Sequence, residues 1–200
     1  MSDFTYQTNE TSVALETYEW DRTWIERTEI TDAKRVFYIG DSISWGVRPA
    51  AQKTVGKEFL FDALASSKAL DNPFFLPTLD LFLRQVPSVD LMIVNNGLHG
   101  WHLEDETAYA QAFDAFVKAL QQRCPSVAVV LTTAVADEKR NARVQMRNSV
   151  ACRIAEERGC PVIDLYAPSL SCTYTDGVHF NGEGYQILAD ALVSAVRPLL

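Results

Sequence analysis

The sequence lacks features that would each point to a particular kind of partner. It has no excess of positive charge: 18 Lys and Arg stand against 26 Asp and Glu, a net charge of −8 over 200 residues. This balance argues against nucleic acid, whose phosphates need a basic surface, and against an anionic membrane. A membrane-spanning helix needs about 18–20 apolar residues in a row, and no apolar run in the sequence is that long. A neutral small molecule is therefore the favoured partner.

Paired cysteines and a leader sequence are missing as well. The four cysteines show no Cys-x-x-Cys spacing and lie near apolar segments, which predicts reduced thiols in the core rather than a metal or disulfide framework; they are Cys124, Cys152, Cys160 and Cys172. Residues 1–10 are polar, without the basic and apolar regions of a signal peptide. We therefore expect a cytoplasmic protein.

What the sequence does contain is an alternation of apolar runs and amphipathic stretches. Strands are predicted at 35–39, 91–94, 127–132 and 161–165, with a weaker one at 61–67, and helices at 108–122, 141–158 and 184–200. Strands without polar alternation are typical of a parallel sheet covered on both faces. The pattern predicts an α/β protein, a three-layer α/β/α sandwich with a flavodoxin-like parallel sheet of about five strands.

Residues 1–33 stand outside this alternation. They are mostly polar, and Trp20 and Trp24 are the side chains best suited to dock. We expect a partly ordered arm over 1–33 that packs on the domain or on a second copy of the chain, and one catalytic domain over 34–200. An oligomer formed through this arm is one consequence.

Two short motifs carry the chemistry. Ser42 follows the first strand in Gly40-Asp41-Ser42, and Asp176 precedes His179 near the last helix. A serine, a histidine and an aspartate supply the three roles of an activated nucleophile: attacker, base and orienter of the base. Alone, each motif has a plainer interpretation, because Ser42 and Asp41 suit a helix N-terminus and Asp176-Gly177 suits a surface turn. Their joint presence favours catalysis.

The other two histidines flank a Gly-Trp step after the strand at 91–94. His99 and His102 lie beyond the carboxyl end of that strand, the edge where ligands bind in an open parallel sheet. A zinc site built from the three histidines and nearby aspartates is an alternative, but His-x-x-His in a loop lacks the helical spacing of metalloproteases. His102 is otherwise an exposed loop residue. No metal or other cofactor is expected.

Residues 37–43 and 176–180 resemble the first and last blocks of the SGNH, or GDSL, hydrolase superfamily. The resemblance implies an esterase in which Ser42 is the nucleophile, His179 the general base and acid, and Asp176 the residue that orients the imidazole. It also places Gly97 at the glycine of the third block and His99 where the family has an asparagine. His99 would then donate to the oxyanion together with the Ser42 N–H, with Asn96 as the competing donor. Residues 66–71 match the second block without its glycine.

The resulting functional prediction is a serine esterase that removes short acyl groups, most simply acetyl, from a carbohydrate. Alternatives are a lysophospholipase or thioesterase for longer acyl chains, and a non-catalytic carbohydrate-binding module. Trp45 and Trp101 follow the first and third blocks and are candidates for a wall against a sugar ring or acyl chain. Arg140, Arg143 and Arg147 at helical spacing are interpreted as a solvated face.

Overall fold

A computed structural model describes residues 14–200 of the chain, in which six strands form one sheet. The strands are β1 Asp21–Trp24, β2 Arg35–Gly40, β3 Leu60–Ser66, β4 Leu91–Val94, β5 Val127–Val130 and β6 Val162–Ile163. Their order across the sheet is β1-β3-β2-β4-β5-β6. All neighbours from β3 to β6 are parallel, and β1 pairs antiparallel with β3. Without β1, the order is that of a flavodoxin-like sheet.

Helices cover both faces of the sheet. They are α1 Ser42–Val55, α2 Phe75–Leu83, α3 Glu106–Gln121, α4 Glu138–Arg158, α5 Tyr166–Ser169 and α6 Gly182–Val196. Side chains of β2 alternate between two cores: Tyr38 packs with α1 and α6, and Phe37 packs with α2, α3 and α4. This confirms the prediction of a three-layer α/β/α sandwich. Gly159 ends α4 in the left-handed conformation with φ 66°, as its position after the helical pattern predicted.

Two strands are shorter than the apolar runs that predicted them. After β6, Asp164 Oδ1 accepts the N–H groups of Tyr166 and Ala167 at 2.8 and 3.0 Å, which turns the chain into α5. After β5, the Thr132 N–H donates to Asn148 Oδ1 at 2.8 Å and so leaves the ladder. Apolar composition alone does not show where such a side chain takes over a backbone hydrogen bond.

The segment predicted to be an arm contributes a strand, so the sheet has six strands instead of about five. Residues 1–13 of that arm lie outside the described residues, and 14–33 include β1. The stretch after β1 is tied down by Arg35, whose buried guanidinium donates to Asp62 at 2.8 and 2.9 Å and to the Glu26 carbonyl at 2.7 Å. This part of the chain is attached to the domain by the backbone pairing of β1 and by the Glu26 carbonyl, which accepts from the buried Arg35.

Two further observations bear on the bulk predictions. All four cysteines are free thiols, but Cys152 is exposed on α4, so the prediction of a core position is wrong for that residue. Its helix turns it away from the stripe formed by Val150, Ala151 and Ile154. Among residues 14–200, no helix combines the length and hydrophobicity that crossing a bilayer requires.

Candidate active site

The turn between β2 and α1 places Ser42 at the start of a helix. Asp41 is the N-cap, because its Oδ1 accepts the Ile43 N–H at 2.9 Å, and Ser42 is the first helical residue. Gly40 is needed for close approach, since a Cβ there would lie 2.6 Å from Ser44 Cβ. The Ser42 hydroxyl therefore lies beyond the carboxyl end of β2, beside its own backbone N–H, which has no intrahelical acceptor, and the positive end of the helix dipole.

The turn between α5 and α6 holds Asp176 and His179. Asp176 Oδ1 accepts the N–H groups of Val178 and His179 at 3.0 and 2.8 Å, and Gly177 takes φ 86°. The other oxygen, Oδ2, lies 2.7 Å from His179 Nδ1. Hydrogen bonds from the His179 backbone and ring, followed by that from Val178, lower the pKa of Asp176 to about 2. The carboxylate stays ionised and orients the imidazole.

These two turns meet although 137 residues separate Ser42 from His179. Ser42 Oγ and His179 Nε2 are 2.8 Å apart. In the tautomer that carries its proton on Nδ1, Asp176 accepts that proton's hydrogen bond and the Nε2 lone pair faces the serine hydroxyl, the arrangement needed to remove its proton. The His179 and Asp176 side chains are 38% and 56% exposed, so a bulky ligand can reach them from solvent.

Asp41 is a second carboxyl group beside the serine, and it is fully buried. Its Oδ2 has no hydrogen-bond partner among the described residues, whereas Oδ1 caps the helix. Burial raises the pKa of Asp41, and the nearby charge of His99 is the largest opposing influence. The carboxyl group therefore holds the turn, as its motif predicted.

His99 is enclosed by the N-terminal segment. Glu16 Oε1 lies 3.6 Å from His99 Nδ1 and accepts the Gly100 N–H at 2.8 Å. The Trp20 ring meets the imidazole edge-on, with 6.1 Å between centroids. The sequence marked Trp20 as a side chain that docks, but no local pattern links either Trp20 or Glu16 to residue 99.

Asn96, the competing donor, is engaged elsewhere. Its Nδ2 donates to the Lys68 carbonyl at 2.9 Å, which ties the loop after β4 to the loop after β3. In that second loop the Ser67 N–H donates to the Trp20 carbonyl and the Lys68 N–H to Ser66 Oγ, at 3.1 and 3.0 Å. Asn96 thus connects two loops at the edge of the site.

Arg147 fixes the loop that carries His99, and its interpretation as part of a solvated face was wrong. The side chain is fully buried, and its guanidinium donates to the carbonyls of Gly97, His99 and Gly100 at 3.1, 2.6 and 2.7 Å. Desolvation lowers the pKa of Arg147 to about 10. The signal was present in the sequence, because Arg147 lies on the same helical stripe as Val144 and Ile154.

The two tryptophans lie in different surroundings. Trp45 is half-buried on α1, and the Arg22 guanidinium is 5.8 Å from its ring centroid. The Trp101 ring has the guanidinium groups of Arg140, Arg143 and Arg147 at 5.3, 4.9 and 4.8 Å. Arginine planes so close to an aromatic face occupy the space that a stacked sugar would need. Trp101 therefore belongs to a cationic environment.

The three histidines have separate partners. His102 Nε2 lies 2.9 Å from Asp71 Oδ2, a contact between the loops after β4 and β3, whereas His179 lies with Ser42 and Asp176. Within residues 14–200, no group of three or more His, Cys, Asp and Glu side chains has a geometry that could hold a metal ion. The geometry brings a serine, a histidine and an aspartate together for nucleophilic chemistry.

Comparison with known proteins gives one family and a consistent fold. Residues 38–187 match the model of the GDSL-like lipase/acylhydrolase family. No curated protein matches the sequence. An acetyl xylan esterase, AlAXEase, is 19% identical with a TM-score of 0.66, over 81% of this chain and 99% of its own.

Two further solved structures resemble the chain. A native aryl esterase of M. smegmatis is 20% identical with a TM-score of 0.67, over 84% of this chain and 100% of its own. Est24, a carbohydrate acetylesterase from Sinorhizobium meliloti, is 16% identical with a TM-score of 0.66, again over 84% and 100%. At these identities the likeness shows the shared fold.

Proposed function

The chain belongs to the GDSL-like lipase/acylhydrolase family and is a carboxylic ester hydrolase, and on that premise we propose that Ser42, His179 and Asp176 carry out the hydrolysis. The observation that carries the proposal is the 2.8 Å separation of Ser42 Oγ and His179 Nε2, with Asp176 Oδ2 at 2.7 Å from Nδ1. This is hydrogen-bond distance for nucleophile to base and for base to orienting group.

The proposed reaction has two halves. His179 Nε2 takes the hydroxyl proton while Ser42 Oγ attacks the ester carbonyl, and the imidazolium then gives that proton to the departing alcohol. The acyl-enzyme that remains is attacked by water, which His179 deprotonates in turn, and the acid leaves as Ser42 recovers its proton. Asp176 stabilises the imidazolium in both halves because it remains a carboxylate, its pKa being lowered to about 2.

We assign the oxyanion donors to the Ser42 N–H and the His99 ring. The Ser42 N–H lies at the first turn of α1, where no intrahelical acceptor is available. His99 is favoured over Asn96 because the Asn96 amide is held by its bond to the Lys68 carbonyl, which uses one of its two N–H groups. Preorganised donors of this kind stabilise the tetrahedral intermediate more than the planar ester.

The proposed substrate is a short acyl ester, most simply acetate, on a carbohydrate. Two proteins that share the fold are named for such chemistry, an acetyl xylan esterase and a carbohydrate acetylesterase. The exposure of His179 and Asp176 suits a polymeric or bulky alcohol with a small acyl group. Trp45, half-buried one helical turn from Ser42, is proposed as a wall of the substrate site.

Activity of Ser42→Ala against p-nitrophenyl esters from acetate to octanoate tests the assignment. The variant should lose turnover and fluorophosphonate labelling, with a residual rate about 10³-fold over water, because oxyanion donors remain. Ser149→Ala, an exposed serine on α4, is the matched control and should behave as wild type. Full activity in Ser42→Ala would refute the assigned roles, and a preference for octanoate over acetate would favour the longer-acyl alternative. Release of acetate from acetylated xylan then tests the carbohydrate.

His99→Ala tests the oxyanion assignment separately. Removing one such donor typically costs about 10²–10³-fold in kcat, so kcat should fall strongly with little change in KM. His99→Asn should recover part of the loss, since an amide N–H supplies a donor again. A normal kcat in His99→Ala would transfer the role to Asn96.

A further inference from the structure

Deepening the proposed function and resting on it, we propose that the cleft beside Trp101 binds an anionic group, a carboxylate or a phosphate, carried by the ester substrate. The cationic cleft is defined by Trp101, Lys139, Arg140 and Arg143, with Glu16 at its border, and has a volume of about 560 Å³. The substrate class is thereby narrowed to acyl esters of acidic compounds, such as a carbohydrate with a carboxylate or phosphate substituent.

The cleft is built between two segments of the candidate active site. Trp101 follows His99 by two residues in the loop that Arg147 holds. On the other side, the Ala136 N–H donates to the Gly177 carbonyl at 2.8 Å, which attaches the approach to α4 to the Asp176–His179 turn. Lys139 and Arg140 follow in the first turn of α4. These two connections are the basis for placing the cleft within reach of an ester bound at Ser42.

The charge of the cleft is opposite to that of the whole chain. Three cationic side chains and one carboxylate line it, although the chain carries a net charge of −8. The carboxylate of Glu16 is already used by the Gly100 N–H at 2.8 Å. Among residues 14–200, neither Lys139 nor Arg140 forms an ion pair with a carboxylate, and both are exposed. Their charge is available to a ligand.

Neighbouring groups keep the cleft positively charged. Arg143 Nη2 donates to the carbonyls of Trp101 and Leu103, which positions its guanidinium against the Trp101 ring. Its Nε is buried and has no acceptor among the described residues. Asp137, the carboxylate beside Lys139 in sequence, is occupied as the N-cap of α4, where it accepts the Arg140 N–H at 2.8 Å. Glu138, in the first turn of α4, does not line the cleft.

Anion binding explains this arrangement better than stacking of a neutral sugar. Guanidinium groups lie 4.9 and 5.3 Å from the Trp101 centroid, so the ring serves to hold arginines. Buried Arg147 adds positive charge behind the ring, and its two Nη atoms donate to carbonyls rather than to a carboxylate. Several cations at the mouth of one cleft attract an oxyanion and leave a neutral ligand unaffected.

The test compares three aryl acetates that differ in charge: 4-acetoxybenzoate, 4-acetoxyphenyl phosphate and the neutral methyl 4-acetoxybenzoate. Wild type should show a lower KM for at least one anionic ester, and the pair distinguishes a carboxylate from a phosphate preference. Lys139→Ala with Arg140→Ala should raise that KM about five- to tenfold, as expected for two exposed charges, and change the neutral ester less than about twofold. Added salt should reduce the same preference. Arg153→Ala, an exposed arginine farther along α4, is the matched control.

A binding titration separates this inference from the proposed function. Ser42→Ala protein is titrated with 4-hydroxybenzoate and with phenyl phosphate, following Trp fluorescence, with and without the Lys139 and Arg140 substitutions. Weaker anion binding in the substituted protein supports the proposed cleft, whether or not the wild-type enzyme hydrolyses the esters. Absence of ester hydrolysis by wild type would count against the proposed function and not against the cleft. The inference would be overturned if each anion bound the substituted and unsubstituted proteins with the same affinity. It would also be overturned if the substitutions left the ratio of the KM for the anionic ester to the KM for the neutral ester unchanged.

Discussion

Asp176 makes three hydrogen bonds within its own turn, and they determine its charge over the working pH range. Its pKa falls from 3.8 to about 2, mainly through the His179 backbone and ring. A lowered pKa means that the carboxylate is favoured in the folded state. The small stability it contributes is present above pH 3.8 and is lost as pH falls toward 2. The side chain is 56% exposed, so the effect on folding is modest and the effect on the imidazole matters more.

We therefore predict that Asp176 does not produce the acid limb of the pH profile. Asp176→Asn should lower kcat about 10³–10⁴-fold, because the imidazole loses its orienting anion. The decline of kcat/KM toward acid should persist in that variant, since another group titrates there. The measurement is kcat/KM against pH for wild type and Asp176→Asn on p-nitrophenyl acetate. Disappearance of the limb in the variant would identify Asp176 as the titrating group after all.

Residues in motifs were predictable from sequence, and residues that act across the fold were not. Ser42, Asp176 and His179 stand in short motifs whose spacing reflects a local turn, so the sequence brings out all three. The helix cap at Asp41 follows from the same local chemistry. Glu16 lies 84 residues from the Gly100 N–H that it accepts, and no sequence period reports such a contact. Arg147 did leave a signal, its place on the stripe of Val144 and Ile154, but the sequence does not show the carbonyl acceptors that stabilise a charged group there.

Helix α4 links the two halves of the site. The segment just before its first turn donates a backbone hydrogen bond to the Gly177 carbonyl. Arg147, in the middle of the helix, donates to three carbonyls of the loop that carries His99. A single rigid helix thus sets the spacing between the candidate base and the candidate oxyanion donor. Longer-range support of this kind is required because both groups lie on loops.

Replacing Arg147 should therefore impair both stability and catalysis. Arg147→Met leaves several buried carbonyls without a donor, at about 1–3 kcal/mol for each unsatisfied group, and lets the His99 loop shift. A displacement of about 1 Å costs roughly 10²-fold in rate, so kcat should fall more than KM rises. Arg147→Lys should restore part of both, and Arg153→Met, exposed on the same helix, should do neither. Thermal unfolding and kcat on the neutral aryl acetate are the measurements; a stable Arg147→Met enzyme with normal kcat would contradict this account.

Elements with a clear period were predictable, and the edge strand was not. The β2 and β4 runs and the stripes of α3 and α4 carry apolar side chains at the spacing of their structure. All four residues of β1, Asp-Arg-Thr-Trp, are exposed and show no alternation. Backbone pairing with β3 creates this strand, from Asp21 opposite Ser66 to Trp24 opposite Ala63. An exposed strand that forms only by backbone pairing with an edge strand needs no apolar alternation, so its own sequence does not predict it.

The N-terminal segment connects the sheet edge to the candidate site across the whole molecule. Its backbone covers β3, and Trp20 exchanges hydrogen bonds with Ser67 at 2.8 and 3.1 Å. Glu16 and Trp20 also border His99. Farther along, the Glu26 carbonyl accepts from Arg35, so the chain after β1 is anchored independently. The same segment therefore covers the edge of β3 and forms part of the surroundings of His99, the proposed oxyanion donor.

Deleting residues 1–24 should separate these roles from the folding of the domain. The cut falls before Glu26, whose carbonyl accepts from Arg35, so far-UV circular dichroism should report a folded α/β domain. The exposed β3 edge offers unpaired backbone groups, which favours association between copies, and light scattering should show a higher mass than for the full chain. The kcat should drop because His99 loses Glu16 and Trp20.

Point variants then divide the effect of the deletion. Glu16→Gln and Trp20→Phe retain β1 and should lower kcat without changing the mass in solution, because the strand still covers β3. The full-length mass tests the expectation that the segment joins two copies, in which case the deletion would lower the mass instead of raising it. If the shortened chain stayed monomeric with normal kcat, neither edge protection nor support of His99 would be a role of the segment. The two readouts are independent because one depends on the backbone of β1 and the other on two side chains.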